Sequence, residues 1–237
     1  GSYLVMSYFL ERPLLIYKTK FDIRQYMLLN IGTQNLSVWL YKDCYLRFSS
    51  QEFTIDDLRE SIHLTNNSVQ KKYKNKINRD IRLPKNNMWS LEQFKIYLKH
   101  QCAPEDTWEK TIYAGFRENL ISVVMSSLDE TDFVENAFEL YGCDFMLDEK
   151  YNPILIEVNS TPDLSNSTDV TASICPRVLQ DLIKVIVDRP RNPRSATGAF
   201  ELVYEINYRT KREFDANQGL NVNGKKMTLC PPVLATS

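Results

Sequence analysis

Apolar residues recur at two spacings along this chain, and each spacing predicts a different kind of element. Continuous or alternating apolar runs predict strands over residues 13–17, 20–29, 37–41, 45–48, 137–147, 154–159 and 199–204. Four-residue spacing and capping signals predict helices over residues 54–60, 91–100, 107–128 and 168–187. The pattern therefore contains groups of strands followed by groups of helices and shows no internal repeat.

Several short signals refine these boundaries. Ser90 followed by Gln93 predicts a capping box at the start of the helix 91–100. Thr54 is a candidate N-cap for the helix 54–60, and residues 42–44 are expected to turn a hairpin between the strands 37–41 and 45–48. Pro176 is expected near the start of its helix or at a kink.

The strand 20–29 has one polar face and one apolar face. Lys20, Asp22 and Arg24 alternate with apolar residues at a strict period of two, so they project from the same face. Such a charged face ordinarily lies in solvent. The same row of charges also suits a phosphate or sugar ligand.

Three oxygen-bearing side chains lie on two apolar strands near the end of the pattern. Glu157 and Asn159 are two residues apart and project together, roughly 6–7 Å from each other. A hairpin through residues 148–153 would bring Asp144 beside them. Carboxylate and amide oxygens suit Mg²⁺, which usually takes one or two protein carboxylates and leaves room for phosphate oxygens. The alternative is an edge strand with solvated polar residues.

Composition limits the classes of protein without choosing among them. The 237 residues include 43% hydrophobic residues and carry a net charge of −1, so no global attraction to nucleic acid or membrane is expected. No apolar run approaches the roughly 20 residues that span a bilayer. The five cysteines are widely scattered without a CxxC motif, which favours a reduced intracellular setting.

One stretch departs from this balance, because residues 66–82 are rich in asparagine and basic side chains. It is either a solvated loop or a docking surface for an acidic macromolecule. Its basic residues are Lys71, Lys72, Lys74, Lys76, Arg79 and Arg82.

Four separated motifs resemble the tubulin tyrosine ligase-like family. They are KFDIRQY at 20–26, HLTNNSVQK at 63–71, FELYGCDFML at 138–147 and ILIEVNSTP at 154–162, in the family's order. Within the family, the continuation EVNSTPDLSNSTDVTASIC and the later GAFELVY are similar to the glycylases. The resemblance implies an α+β fold, the C-terminal portion of an ATP-grasp domain, with a mainly antiparallel sheet flanked by helices.

The resemblance also implies an ATP-dependent ligase that adds glycine to glutamate side chains of acidic tubulin tails through an acyl-phosphate. In that reaction Asp144, Glu157 and Asn159 would hold Mg²⁺, and Arg24 and Arg47 would meet the phosphates or the acyl-phosphate. The implied ATP contacts are Lys20, Asp22, His63, Thr65 and Asn66. Tubulin and microtubules are the implied partners, with neither nucleic acid nor membrane, in the cytoplasm, the cytoskeleton and the cilium or axoneme.

The start of the chain departs from the family pattern. Ser7, Tyr8, Phe9 and Leu10 stand at the adenine-contacting hinge, where only the aromatic and aliphatic positions match. We expect residues 1–205 to form a partial ATP-grasp domain lacking its N-terminal half, and residues 206–237 to be a poorly ordered tail. The isolated chain is expected to bind ATP poorly and not to turn over.

Two other functions stay open at this point. One is a polyglutamylase of the same family. The other is a truncated, non-catalytic module that binds microtubules through the basic stretch.

Overall fold

A seven-stranded antiparallel sheet organises the chain. The computed structural model describes residues 12–33, 35–75, 79–128 and 134–207. The strands are β1 (Leu15–Ile16), β2 (Thr19–Ile31), β3 (Asn35–Glu52), β4 (Met88–Ser90), β5 (Ala137–Leu147), β6 (Pro153–Asn159) and β7 (Phe200–Asn207). Their order is β4-β3-β2-β5-β6, with β1 paired to β2 and β7 paired to β3. This confirms an α+β fold built on an antiparallel sheet.

Helices lie on both faces of this sheet. They are α1 (Glu60–His63), α2 (Asn67–Gln70), α3 (Leu91–His100), α4 (Ala114–Ser127), α5 (Asp169–Ile183) and α6 (Arg189–Arg191). A π-helical turn, Thr107–Tyr113, leads into α4, and a second, Lys184–Asp188, follows α5. The predicted helix over 107–128 is therefore continuous, although its first two turns are wider than an α-helix.

The back face of the sheet holds the larger core. Phe21 and Ile23 of β2 project there together with Phe145 of β5, and all three side chains are buried. Phe116 of α4 packs on Phe145 with ring centroids 4.3 Å apart. The capping box predicted at Ser90 is present and starts α3, which covers the same face.

Helix α5 covers part of the front face. Tyr26 of β2 and Tyr41 of β3 are fully buried beneath this helix, with Val178 packed in the same cluster. Thr168 caps the helix through a second capping box. Pro176 lies in the helix interior rather than at its start. Near residues 22–24 the front of the sheet carries charged side chains instead.

A buried carboxylate attaches β7 to α5. Asp181 accepts hydrogen bonds from the Tyr41 hydroxyl at 3.0 Å, from the Ala199 backbone N–H at 2.9 Å and from Lys184 Nζ at 2.7 Å. Gly198, which precedes Ala199, has a positive φ of 62°, and a Cβ there would lie 1.9 Å from the Asp181 carboxylate. The turn into β7 therefore depends on both residues.

The hairpin predicted around residues 42–44 is wrong, because β3 is one continuous 18-residue strand. The pairing of β2 with β3 shifts register between Gln25 and Met27, opposite this segment. The extra residues form a β-bulge, which accommodates polar Lys42 and Asp43 without a turn. Gln25 stabilises the bulge, because its side-chain amide donates to the Tyr41 carbonyl at 2.6 Å.

The helix predicted over 54–60 is also wrong, since only α1 forms. Thr54 Oγ1 accepts from the Asp56 N–H at 3.2 Å, and Asp57 Oδ1 accepts from the Arg59 N–H at 3.2 Å. Short polar side chains that bond to the backbone two residues ahead favour turns over helix. Residues 63–67 contain the end of α1 and the start of α2.

Candidate functional site

Strand register places four charged residues side by side on the front of the sheet. Asp22 and Arg24 lie on β2, where Asp22 pairs with Arg47 of β3 and Arg24 pairs with Asp144 of β5. All four are buried, with exposed fractions between 5 and 7%. The period-two alternation of β2 gives this arrangement, because Asp22 and Arg24 must project from one face.

The four side chains form one hydrogen-bonded ion network. Arg24 donates to both oxygens of Asp144, with Nε–Oδ1 2.6 Å and NH2–Oδ2 3.2 Å. Arg47 donates to both oxygens of Asp22, with Nε–Oδ1 at 2.8 Å. Arg47 also reaches Asp144 Oδ2 at 2.7 Å. Asp144 therefore accepts from two guanidinium groups at once.

The charges of the network stabilise one another against burial. Burial disfavours the charged form of Asp144, but Arg47 and Arg24 outweigh it and hold the pKa of Asp144 below its ordinary value. Burial also opposes the charged form of Arg47, but Asp22 and Asp144 outweigh it and raise the pKa of Arg47. The network therefore holds Asp144 and Arg47 in their charged forms, and the ordinary expectation of a solvated charged face is wrong.

Glu157 and Asn159 lie next to this network, on β6. Glu157 pairs directly with Asp144, and Asn159 pairs with Gly142, so their side chains project from the same front face. The hairpin predicted between Asp144 and Glu157 is thus confirmed. Glu157 is exposed, whereas Asn159 is half-buried and its Oδ1 accepts from the Thr161 N–H at 2.9 Å.

Lys20 and His63 meet at one aromatic ring, that of Phe53. Lys20 Nζ lies 6.0 Å from the ring centroid, and the His63 ring packs edge-on at 5.5 Å. Burial lowers the pKa of Lys20, partly opposed by the charge of Asp22. His63 Nε2 lies 2.7 Å from the Asp57 carbonyl oxygen. The structure therefore brings these two predicted nucleotide contacts together.

Thr65 and Asn66 follow in the adjoining loop. Thr65 is buried, and Asn66 is the exposed residue before α2. Asn67, the first residue of α2, donates through its side chain to Ser167 Oγ at 3.4 Å. This contact joins the loop to the segment 160–168, which we call the strap. The remaining predicted contacts, Ser7, Tyr8, Phe9 and Leu10, lie outside the described residues.

The strap crosses the front of the sheet beside Arg24. Pro162 packs so closely on Gly142 that a Cβ at Gly142 would lie 2.8 Å from Pro162 Cβ and 3.0 Å from Arg24 NH1. Hydrogen bonds from Ser165 lower the pKa of Asp163, and the charges of Arg24 and Lys71 add to that effect. Asp163 therefore lies within electrostatic reach of both the ion network and the basic stretch.

Residues that the sequence analysis did not assign to the site are Phe53, Gly142, Pro162 and Asp163. Gly142 stands inside the FELYGCDFML motif, and a glycine within a strand is a sign of close backbone approach. That sign was available in the sequence. Phe53 had no comparable signal, because its role depends on where β3 ends.

The arrangement suits chemistry on phosphate groups. Guanidinium groups bind carboxylates and phosphates with the same bidentate geometry, and here two of them are fixed in advance on a rigid sheet. Asp144 and Glu157 offer carboxylates on facing strands, with the Asn159 amide two residues from Glu157. Within the described ranges, no group of three or more His, Cys, Asp and Glu side chains is arranged to hold a metal ion.

Comparison with known proteins identifies the family of this chain. The sequence model of the tubulin-tyrosine ligase family matches residues 1–195, so the chain belongs to that family. Tubulin glycylase 3B of Drosophila melanogaster is 68% identical over 228 residues, which are 96% of this chain and 30% of that protein. Tubulin monoglycylase TTLL3 of Homo sapiens is 42% identical over 205 residues, 86% of this chain and 26% of that protein.

A third relative extends the same comparison. Protein monoglycylase TTLL8 of Mus musculus is 42% identical over 200 residues, covering 84% of this chain and 24% of that protein. The chain therefore spans less than a third of the length of these relatives. In the part of the chain that the structure describes, no helix is both long enough and apolar enough to cross a membrane.

Proposed function

We propose that this chain is the C-terminal portion of an ATP-grasp domain, in a ligase that joins glycine to glutamate side chains of tubulin tails. The observation that carries the proposal is the buried network of Asp22, Arg24, Arg47 and Asp144, which lies beside Glu157 in a member of this family. The names of the relatives supply the substrate class. The site supplies the phosphate and cation chemistry that such a ligation requires.

The reaction would pass through an acyl-phosphate. A tail glutamate oxygen attacks the γ-phosphorus of ATP, the bond to ADP breaks, and the glycine amine then attacks the acyl carbon and expels phosphate. Arg24 and Arg47 would stabilise the negative charge that develops on the transferring phosphoryl group. Asp22 would hold Arg47 in place and accept from the ribose. Lys20, on the same front face, would contribute a third cationic side chain at the nucleotide.

The donor set fits a magnesium ion. Asp144, Glu157 and Asn159 provide two carboxylates and one amide oxygen on a shared face, which are the hard oxygen ligands that Mg²⁺ prefers. When bound, the ion would neutralise charge on the nucleotide phosphates. The exposed carboxylate of Glu157 is open to such an ion, whereas the Asp144 oxygens bind arginines in this structure.

The basic stretch supports delivery of an acidic tail. Lys71, Lys72 and Lys74 are exposed at the end of α2, and Lys71 adjoins the strap through Asp163. Burial lowers the pKa of Arg79 to about 10, and Arg79 Nε and NH2 lack a hydrogen-bond partner among the described residues. We propose that this surface guides the acidic tail of tubulin toward Arg24, which would place the protein on microtubules and in the cilium. Lys76 lies outside the described residues.

Glycine ligation is tested with a longer form of the protein that contains this chain. The form is incubated with tubulin, ATP and either labelled glycine or labelled glutamate. Incorporation of glycine that Glu157→Gln abolishes, and that the exposed control Glu139→Gln retains, would support the proposal. Incorporation of glutamate instead would show a polyglutamylase.

The binding-module alternative is tested by microtubule co-sedimentation. ATP-independent sedimentation of a form that ligates neither amino acid would favour it. Charge reversal of Lys71, Lys72 and Lys74 should weaken sedimentation and reduce its salt dependence, because exposed charges are screened by salt. Reversal of the exposed residues Lys99, Lys110 and Lys150 is the matched control and should have a smaller effect.

A further inference from the structure

Asp144 is closed to any cation in the arrangement that the structure shows. Oδ1 accepts from Arg24 Nε, and Oδ2 accepts from both Arg24 NH2 and Arg47 NH2. A carboxylate has about four lone-pair positions, so three are taken. The side chain is 7% exposed, so little of the carboxylate faces solvent.

The two arginines are not held equally. Arg47 keeps a two-point contact with Asp22 even when its bond to Asp144 is lost. Both side-chain hydrogen bonds that Arg24 makes to described residues go to Asp144. Arg24 also lies beside the packing of Pro162 on Gly142, because a Cβ at Gly142 would meet both Pro162 and Arg24. Departure from the network costs Arg24 two contacts and Arg47 three, and among the described residues Arg24 alone holds Asp144 Oδ1. Departure of Arg24 therefore frees one whole oxygen of Asp144.

We infer that Arg24 blocks the Asp144 carboxylate, and that Asp144 accepts a divalent cation only after phosphate oxygens draw the Arg24 guanidinium away. We call Arg24 in this role the guard. A guanidinium binds phosphate with the same fork that it offers a carboxylate, so a nucleotide competes directly for Arg24. The guard would admit the cation together with a nucleotide and exclude it alone. This inference rests on the proposed function, because it concerns the same cation site.

A metal titration without nucleotide tests the guard. Mn²⁺ is added to the purified 237-residue chain, and the free ion is followed by its electron paramagnetic resonance signal. We expect Arg24→Gln to bind Mn²⁺ about tenfold more tightly than the unchanged chain, a difference of about 1.4 kcal/mol. The double variant Arg24→Gln/Asp144→Asn should lose this gain, because the freed carboxylate is absent.

Two controls separate the guard from a general change of charge. Lys20→Gln removes one positive charge from the same face without touching Asp144, and Arg59→Gln breaks an exposed pair with Asp57. Both should bind Mn²⁺ within about twofold of the unchanged chain, since neither frees an Asp144 oxygen. An equal gain in Lys20→Gln, or a gain that persists in the double variant, would overturn the guard.

The inference can still be tested if Arg24→Gln does not fold. Circular dichroism and thermal unfolding show whether Arg24→Gln is folded, and Arg24→Lys is the milder variant if it is not. A lysine offers one donor group in place of the fork, so a smaller gain is still expected. A folded variant that binds Mn²⁺ no tighter than the unchanged chain overturns the inference. Failure of glycine ligation by the longer form would instead remove the proposed function and leave the Mn²⁺ result standing.

Discussion

Pro162 and Gly142 pack without room for a side chain between them, 20 residues apart along the sequence. A Cβ at Gly142 would lie 2.8 Å from Pro162 Cβ and 3.2 Å from Arg24 Cδ. The contact seats the strap directly on the sheet beside the ion network. The position of Arg24 therefore depends on a residue that carries no functional group.

Gly142→Ala should lower both stability and activity. Overpacking of this kind typically costs about 1–3 kcal/mol. We expect a loss in that range by urea unfolding of the 237-residue chain. Glycine incorporation by the longer form should fall further than stability alone explains, because Arg24 must shift. Pro162→Gly removes the Cβ that the new side chain would meet, so the loss in Gly142→Ala/Pro162→Gly should be smaller than the sum of the two single losses. Losses that simply add would argue against this contact.

Asp181→Asn should destabilise the attachment of β7. The carboxylate accepts from Tyr41, Ala199 and Lys184, and an amide cannot accept from all three in the same way. Losing an acceptor so that a buried donor is left without a hydrogen bond costs about 1–3 kcal/mol. Chemical unfolding should show that loss for Asp181→Asn, whereas the exposed control Asp188→Asn should stay within about 0.5 kcal/mol.

The stability of the unchanged chain and the stability of Asp181→Asn should depend differently on pH. Burial would raise the pKa of Asp181, but hydrogen bonds from Lys184, Ala199 and Tyr41 lower it below its ordinary value. A depressed pKa in the folded state contributes stability above the unfolded pKa, and that stability is lost as pH falls through the folded value. The stability difference between the unchanged chain and Asp181→Asn should therefore shrink below about pH 4. A difference that stays constant from pH 7 to pH 3 would contradict this assignment.

Ser90→Ala should weaken the start of α3. Ser90 Oγ accepts from the Gln93 N–H, and Gln93 Oε1 accepts from the Ser90 N–H at 2.9 Å. Loss of an N-cap side chain costs about 1 kcal/mol. Thermal unfolding should show a loss of that size. Ser126→Ala, on the exposed side of α4, changes only a bond within its own helix and should have little effect.

Local sequence patterns predict the elements whose structure depends on residues close in the sequence. The start of α3 follows from Ser90 and Gln93 alone, since a capping box closes within four residues. The pairing of Asp144 with Glu157 follows from two apolar strands and a short turn between them. The common face of Asp22 and Arg24 follows from the period of a strand.

Features that depend on distant contacts could not be predicted in this way. Polar Lys42 and Asp43 indicate a turn, yet a bulge opposite Gln25 keeps the strand intact. Burial of the charged face depends on Arg47 and Asp144, which lie 25 and 120 positions from their partners on β2. The anchor at Asp181 depends on Tyr41, which is 140 positions away.

The length of β3 affects how the sheet unfolds. One strand carries backbone ladders to β2, β4 and β7, and its side chains enter the clusters on both faces of the sheet. No single neighbour can detach without exposing part of β3, so its central amides should exchange with deuterium only when the whole sheet opens. Amides of Val38 and Leu46, at opposite ends of the bulge, should then show the same protection by native-state exchange.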